Sequence, residues 1–443
     1  MAEAGKAAEG GPVPAAPRAP SGFANLVLHL HPRAVPAAAL RLDRTFGLGG
    51  ASLVLFLLLA ATGALLLVLY EPAPERAYGS VSRLLDEVPF GAFVRNAHHW
   101  AGNGLVLVSV LHLLRVVYRG GHLPPRRGNW LVGIALLLLV VAAAFTGYLL
   151  PWDQLAFWAV TIATGMLDYV PLAGGALLRA ARGGADVGAA TLSRFFVLHV
   201  AVLPLATLFL LSFHFWLVRK AGGVVLPDDV GDGASPRGPL VPTSPDLTRR
   251  EAAAALVTCA AVLLVAAMAD APLLAPANPG LSPNPAKAPW YFMGIQELLV
   301  HVHPAFGAVA LPLLGLAALA ALPALAGDAR PTGRWFGSAR GARHALVAAV
   351  AALAAATGAV VAHEPLRRNA SFLPGLPPLL RDGAFPALAA VLAVGLAGWL
   401  SRRRGATRPE AVQTAFTFAV VSFGVLTVVG VVFRGPGMGL AWP

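Results

Sequence analysis

Four histidines carry the clearest chemistry in this 443-residue chain. His98 and His112 are 14 residues apart, and His199 and His214 are 15 apart. On an α-helix those spacings return to within about 40° and about 60° of one face, at a rise of roughly 21 to 22 Å. Each helix would then show two imidazoles on one side, stacked at two depths. If the two helices run in the same direction and face each other, His98 meets His199 and His112 meets His214. Each facing couple can supply both axial nitrogens of a heme iron, and a low-dielectric interior favours the neutral imidazole that ligation needs. A single histidine inside a bundle can equally be a residue hydrogen-bonded to its neighbours. Four at matched depths favour ligation, because ionisable groups inside a membrane are costly.

Glycines repeat the same interval. Gly49 and Gly63 are 14 apart on one apolar run, and Gly133 and Gly147 on another. Such glycines allow close helix packing. At the histidine spacing they suggest gaps where a flat macrocycle passes each backbone, once per level. Arg95, Arg115 and Arg194 flank the histidines and offer bidentate pairing to heme propionates near the membrane faces. Interfacial snorkelling explains each of them equally well.

The elements that must position these residues are transmembrane helices. The chain is 57% hydrophobic and 12% charged, with a mean hydropathy of +0.70. Apolar runs of membrane-spanning length fall near 46–70, 97–118, 129–150, 195–218, 250–271, 306–326, 343–363, 384–401 and 412–433. The fold expected is all-α and polytopic: a four-helix diheme bundle followed by four to five further spans. Residues 154–190 are less apolar and Gly-rich, which predicts short surface helices. Residues 1–22 read as a disordered cytoplasmic tail, 23–220 as the heme-binding domain, 221–248 as a cytoplasmic linker and 249–443 as a C-terminal transmembrane domain.

Placing the N-terminus inside gives the inner segments about twice the Lys and Arg of the outer ones, the bias expected of cytoplasmic loops. The net charge of +12 is spread through those loops and forms no dense stripe, so nucleic acid is not an expected partner. The one cysteine, Cys259, lies in an apolar run, which leaves no disulfide framework, zinc quartet or CxxCH heme attachment within this chain.

The stretches "FGLGG", "ATG", "VRNAHHW", "LHLLRVVYRGG", "TGYLLPWDQLAFWAV", "TLSRFFVLHVAVLPL" and "HFWLVRKAG" follow one another over residues 46–222. In them the sequence resembles the cytochrome b family of bc complexes, and most of all its photosynthetic, plastid-type branch, which shares the 15-residue spacing. The second half resembles the subunit IV of that branch more weakly, through "APWYF". The resemblance implies two b hemes. His98 and His199 would bind the low-potential heme near the outer surface, and His112 and His214 the high-potential heme near the inner one. It further implies an enzyme that bifurcates electrons from quinol, one going to an iron-sulfur protein and the other through the hemes to an inner quinone site. This chain has neither an iron-sulfur nor a c-heme motif. A Rieske-type protein and a c-type cytochrome are therefore expected partners, together with membrane lipid and a second copy in a dimeric complex.

Two departures stand out. The family usually carries Pro-Glu-Trp-Tyr at the outer site, with the acid accepting a proton from quinol. Here Pro289 replaces the Glu before Trp290 and Tyr291. Glu297, six residues beyond Tyr291, is expected to substitute as a partly buried carboxylate of raised pKa. The alternative is an ordinary interfacial acid, and His301 and His303 are alternative proton carriers. Plastid-type relatives also attach a third heme through a cysteine directly before Leu-Gly-Gly. Gly47 stands there, so a covalently bound third heme is not expected. Arg219 and Lys220, just past His214, could hold a propionate or quinone, or simply anchor the helix.

The Ala-, Gly- and Arg-rich composition suggests a GC-rich bacterial genome, hence a bacterial inner membrane. A non-bifurcating diheme anchor of a quinone-linked dehydrogenase is the main rival, but it would not need "PWDQ" or "APWYF". A secondary transporter would not need ligands paired at two depths.

Overall fold

The computed structural model describes residues 31–227, 238–369 and 375–442. The tail expected at 1–22 lies outside the described residues, as does the middle of the expected linker, 228–237. Among the described residues nine helices are long and apolar enough to cross a membrane. The first half runs α1 (Leu48–Leu67), the short α2 (Ala77–Asp86), α3 (Gly91–Tyr118), α4 (Arg127–Leu149), the short α5 (Gln154–Gly165) and α6 (Gly174–Arg182), and α7 (Ala189–Lys220). The second half runs α8 (Thr248–Met268), the short α9 (Met293–His301), α10 (Ala305–Leu325), α11 (Ala339–Asn369), α12 (Leu379–Arg403) and α13 (Arg408–Val432).

Two spans, α3 and α7, start six residues before their apolar runs, for a reason visible in their partners. The first turns of α3 are polar, but they face protein. Arg95 donates to the carbonyls of Ala271 (2.8 Å) and Pro272 (2.7 Å), and Asn96 bonds Asp270 and the Ala271 amide, both at 2.8 Å. Trp100 adds a bond to the Ala269 carbonyl, so the stretch after α8 is clamped to the start of α3. At the start of α7, Thr191 accepts from the Gly188 amide and donates to the Arg182 carbonyl, which lets a stretch containing Thr191, Ser193 and Arg194 precede the apolar run.

The expected surface region resolves into α5 and α6. Asp153 caps α5 by accepting from the Ala156 amide, and Arg182 at the end of α6 reaches back to Thr164. The C-terminal part of the linker is also tied down, since Leu240–Pro242 pairs antiparallel with Ala34–Pro36.

The two halves share their cores. Leu55 of α1, Ala101 and Leu105 of α3 and Val262 of α8 form one buried cluster. Val117 of α3, Trp130 and Ile134 of α4, Leu322 of α10 and Phe416 of α13 form another. Leu57, Phe209, Val257 and Leu346 are exposed on the outer flanks, as side chains that meet lipid should be.

Candidate heme and quinol site

His98 and His112 rise along α3, and His199 and His214 along α7. The structure brings His98 to His199 with ring centres 6.1 Å apart, and His112 to His214 at 6.4 Å. Two metal–imidazole bonds of about 2.0–2.1 Å, the length zinc makes, plus about 1.1 Å from each ligating nitrogen to its ring centre require about 6.2–6.4 Å. Both couples fit one metal atom between two rings, which cross at 74° and 73°. No cluster of three or more His, Cys, Asp or Glu suited to a metal occurs among the described residues. An iron whose remaining ligands belong to a macrocycle needs no such cluster.

The unequal spacings are reconciled by the backbone. Residues Leu198–Val202, which include His199, form a π-turn, and Pro204 follows it. A π-turn takes up one residue more than an α-turn, and a proline disturbs the carbonyl four residues before it. The 15-residue interval of α7 thereby matches the 14-residue interval of α3, and both couples form at equal depth.

Hydrogen bonds set the ring tautomers at one level. The Thr62 hydroxyl donates to the Leu58 carbonyl (2.7 Å), so it accepts from His98 Nδ1–H at 2.9 Å. His199 Nδ1–H donates to the Ala143 carbonyl at 2.9 Å. In both rings the Nε2 lone pair is left for a metal. At the other level, Nδ1 of His112 and of His214 is buried with no hydrogen-bond partner.

Each glycine of the repeat faces one histidine. A Cβ on Gly63 would lie 3.1 Å from His98 Cε1, and one on Gly49 3.5 Å from His112 Cε1. On Gly133 it would lie 3.6 Å from His214 Cε1, and on Gly147 it would collide with the His199 ring, 2.9 Å from Nδ1 and 3.0 Å from Nε2. The glycines thus make room first for the ligand rings, a more specific use than the open gap the spacing suggested.

The expected propionate arginines are engaged elsewhere. Arg95 forms the clamp described above, Arg115 donates from Nε and Nη2 to the Arg44 carbonyl, and Arg194 donates to the Ala180 carbonyl. Arg219 and Lys220 end α7, with Lys220 4.9 Å above the Trp216 ring.

The segment Pro289–Phe292 lies against the ligand helices. Trp290 donates to Asn103 of α3 at 2.7 Å, five residues from His98. Tyr291 packs on Phe292, which meets Phe145 of α4, and Phe145 meets Phe195 of α7. Burial, with Tyr148 nearby, pushes the Tyr291 phenol above its ordinary pKa, so it stays a donor. Among the described residues neither the Tyr291 nor the Tyr148 hydroxyl has a hydrogen-bond partner. "PWDQ" supports the same region: Asp153 accepts from the Leu274 amide (3.0 Å) and Gln154 from the Asn278 amide (2.6 Å).

Glu297 corrects the expectation. It is fully buried, neither interfacial nor partly solvated. Burial alone would raise its pKa, but hydrogen bonds from His301 and Arg434 outweigh it and hold the carboxyl below its ordinary value. Arg434 donates to both Glu297 oxygens, at 2.8 and 2.5 Å, and to Glu364 at 2.8 Å. No local pattern around Glu297 could have revealed this partner, which follows the last span. Thr62, Asn103 and Tyr148 were likewise not singled out, although each stands within five residues of a residue that was.

Among the described residues, nine apolar helices, two of which carry the facing histidine couples, define a multi-pass membrane protein with paired imidazoles at axial-ligand spacing. A family model described as Cytochrome b/b6/petB matches residues 35–222. Cytochrome b6 of Heliobacterium mobile is 44% identical over 187 residues, 42% of this chain and 88% of that protein. A solved structure titled "Hyperthermophilic respiratory Complex III" superposes with a TM-score of 0.62 at 25% identity, over 87% of this chain and 90% of that one. The chain belongs to the cytochrome b/b6 family of heme-binding electron-transport proteins.

Proposed function

We propose that this chain is the diheme cytochrome b subunit of a bc-type complex in a bacterial inner membrane, a quinol:cytochrome c (or similar acceptor) oxidoreductase that releases protons outside. The observation that carries the reading is the pair of histidine couples, each at axial-ligand spacing and each at its own depth. His98 and His199 hold the outer heme b, and His112 and His214 the inner one. Heme iron, when bound, supplies reversible one-electron storage.

The residues themselves order the two levels. Thr62 and the Ala143 carbonyl accept from the outer rings, which makes those imidazoles stronger donors and favours the oxidised iron. The inner rings lack that help. This asymmetry supports a lower potential outside and a higher one inside, a gradient that draws electrons inward.

Trp290, locked to Asn103, positions the Pro289–Tyr291 segment at the outer quinol site, and the protonated Tyr291 offers its hydroxyl to a quinol or quinone oxygen. Glu297 acts there as a fixed anion that orients His301. Arg95, Arg115 and Arg194 keep further N–H donors that can meet propionates. Arg219 and Lys220 stand at the inner quinone site, and Gly47 supplies no thiol for a covalent third heme. The heme-binding unit is 23–220, and 249–443 completes the outer site. A Rieske-type protein and a c-type cytochrome take the remaining electron in a dimeric complex surrounded by lipid.

Reduced-minus-oxidised spectra with pyridine hemochrome counting test the reading. Two b hemes per chain are expected, and one or none would sink it.

A further inference from the structure

The last span, α13, packs directly on α9, the helix that follows the Pro289–Tyr291 segment. A Cβ on Gly294 of α9 would lie 2.6 Å from Phe423 Cζ and 2.7 Å from Thr427 Oγ1, and one on Gly430 of α13 would lie 2.8 Å from Met293 Cε. Glycines at such crossings let two helices approach closely inside a membrane. Neither this crossing nor the chain beyond α13 has a part in the preceding reading, yet both lead to the outer site.

After α13 the chain folds back on itself as a small loop. The Gly435 amide donates to the Gly439 carbonyl and the Ala441 amide to the Phe433 carbonyl, both at 2.9 Å, and Gly437 makes the turn at φ +62°. Arg434 stands at the base of this loop with its side chain fully buried. It donates to both carboxylate oxygens of Glu297 on α9, to Glu364 of α11 at 2.8 Å and to the Met438 carbonyl at 2.9 Å. One guanidinium thereby ties the loop to two helices and to itself.

The loop, α13 and α9 together grip the residues that lead into Pro289–Tyr291. The Gly437 amide donates to Asn284 Oδ1 at 2.6 Å, and Lys287 Nζ donates to the Val431 carbonyl at the end of α13 at 2.9 Å. Gln296 of α9 donates through Nε2 to the Ala286 carbonyl and accepts through Oε1 from the Ala288 amide, both at 2.6 Å. A primary amide offers a donor and an acceptor on one rigid group, so this one side chain binds the backbone on either side of Lys287. The segment is thus fastened to α9 and α13 before Pro289 and, through Trp290 and Asn103, to α3 just after it.

We propose that Gln296 is a positioning residue of the outer quinol site, and that α13 serves the same site as its frame through the loop around Arg434. The proposal rests on the reading above, which places quinol beside Tyr291. Gln296 acts on quinol only through the backbone it binds. With its amide in place, Pro289, Trp290 and Tyr291 are held in the binding conformation before quinol arrives. Without it the segment samples other conformations, and the apparent affinity falls in proportion to the loss of the competent one. One hydrogen bond of ordinary strength changes such an equilibrium roughly fivefold, so losing both should weaken binding about 10- to 30-fold.

The test uses the whole complex, with a short-chain ubiquinol and a short-chain menaquinol as probes. Gln296→Met, which keeps length but neither hydrogen bond, should raise KM for the quinol that is used about 10- to 30-fold, with kcat within about threefold of wild type and both heme spectra unchanged. Asn284→Ala, which releases the segment from the loop, should raise KM about fivefold. Asn284 is exposed, so its variant decides the matter if the first does not assemble. The proposal is overturned if, with hemes intact, KM stays within about twofold of wild type, even where the thermal midpoint drops, because the bonds would then only hold the fold. A fall in kcat at unchanged KM overturns it as well, since that marks a group acting in the chemical step. Failure of the wild-type complex to oxidise either quinol would instead sink the preceding reading, and this proposal with it.

Discussion

Replacing Gly147 by alanine is the sharpest perturbation the geometry offers. The new methyl would press on the face of His199, 2.9 Å from Nδ1 and 3.0 Å from Nε2, where ordinary contacts start near 3.4 Å. The ring cannot simply retreat, because its Nδ1–H is bonded to the Ala143 carbonyl one turn away. Overpacking of this kind costs about 1–3 kcal/mol, and losing the hydrogen bond adds about 1 kcal/mol. Together, about 2–4 kcal/mol should fall on the outer couple alone, weakening heme retention there by roughly 30- to 1000-fold. Gly49→Ala and Gly133→Ala place their methyls 3.5 and 3.6 Å from His112 and His214, an ordinary contact, and should be nearly silent. Redox titration of the heme spectra, with hemochrome counting, distinguishes the levels. If Gly147→Ala kept both hemes at unchanged potentials, or if Gly49→Ala lost its heme equally, the one-glycine-per-ring reasoning would be wrong.

Other expectations follow the same lines. His112→Ala should remove the inner heme and spare the outer, since the couples are separate; loss of both from a folded protein would count against the pairing. Thr62→Val removes the acceptor for His98 and should raise the outer midpoint potential while weakening heme affinity about 10- to 100-fold, measured by titration and hemin competition. Trp290→Phe should raise KM for quinol with little change in heme content, read from steady-state kinetics. Glu297, with a folded pKa held below its ordinary 4.5, stabilises the protein fully above that value and loses this contribution as pH falls through the folded pKa. Thermal midpoints should therefore be level from neutral to about pH 5 and drop below it, and Glu297→Gln should flatten that acid limb.

The spans and ligand pairs were legible because each depends on near-neighbour periodicity. Apolar length marks a helix, and the 14-residue interval marks one face. What escaped was either local but hidden in backbone geometry, such as the turn around His199, or assembled from distant segments. Glu297 reads locally as a lone acid on a short amphipathic stretch, and only folding brings Arg434 to it across 137 positions. Arg95 shows the converse. Its place beside a histidine suggested a propionate, yet tertiary contact spends two of its nitrogens on the backbone after α8.

The wide turn at Leu198–Val202 also bears on how such a chain tolerates insertions and deletions. A surplus residue absorbed in one loop of backbone does not rotate the helix beyond it, so His214 keeps its azimuth. Removing Val200 should let the turn close to regular α-helix, convert a 15-residue interval to 14, and return the same two ring faces to the same iron. Length polymorphism at this point is then silent to the cofactors, whereas one residue gained or lost between Leu203 and Phe213 would swing the lower ligand by about 100° and disconnect it.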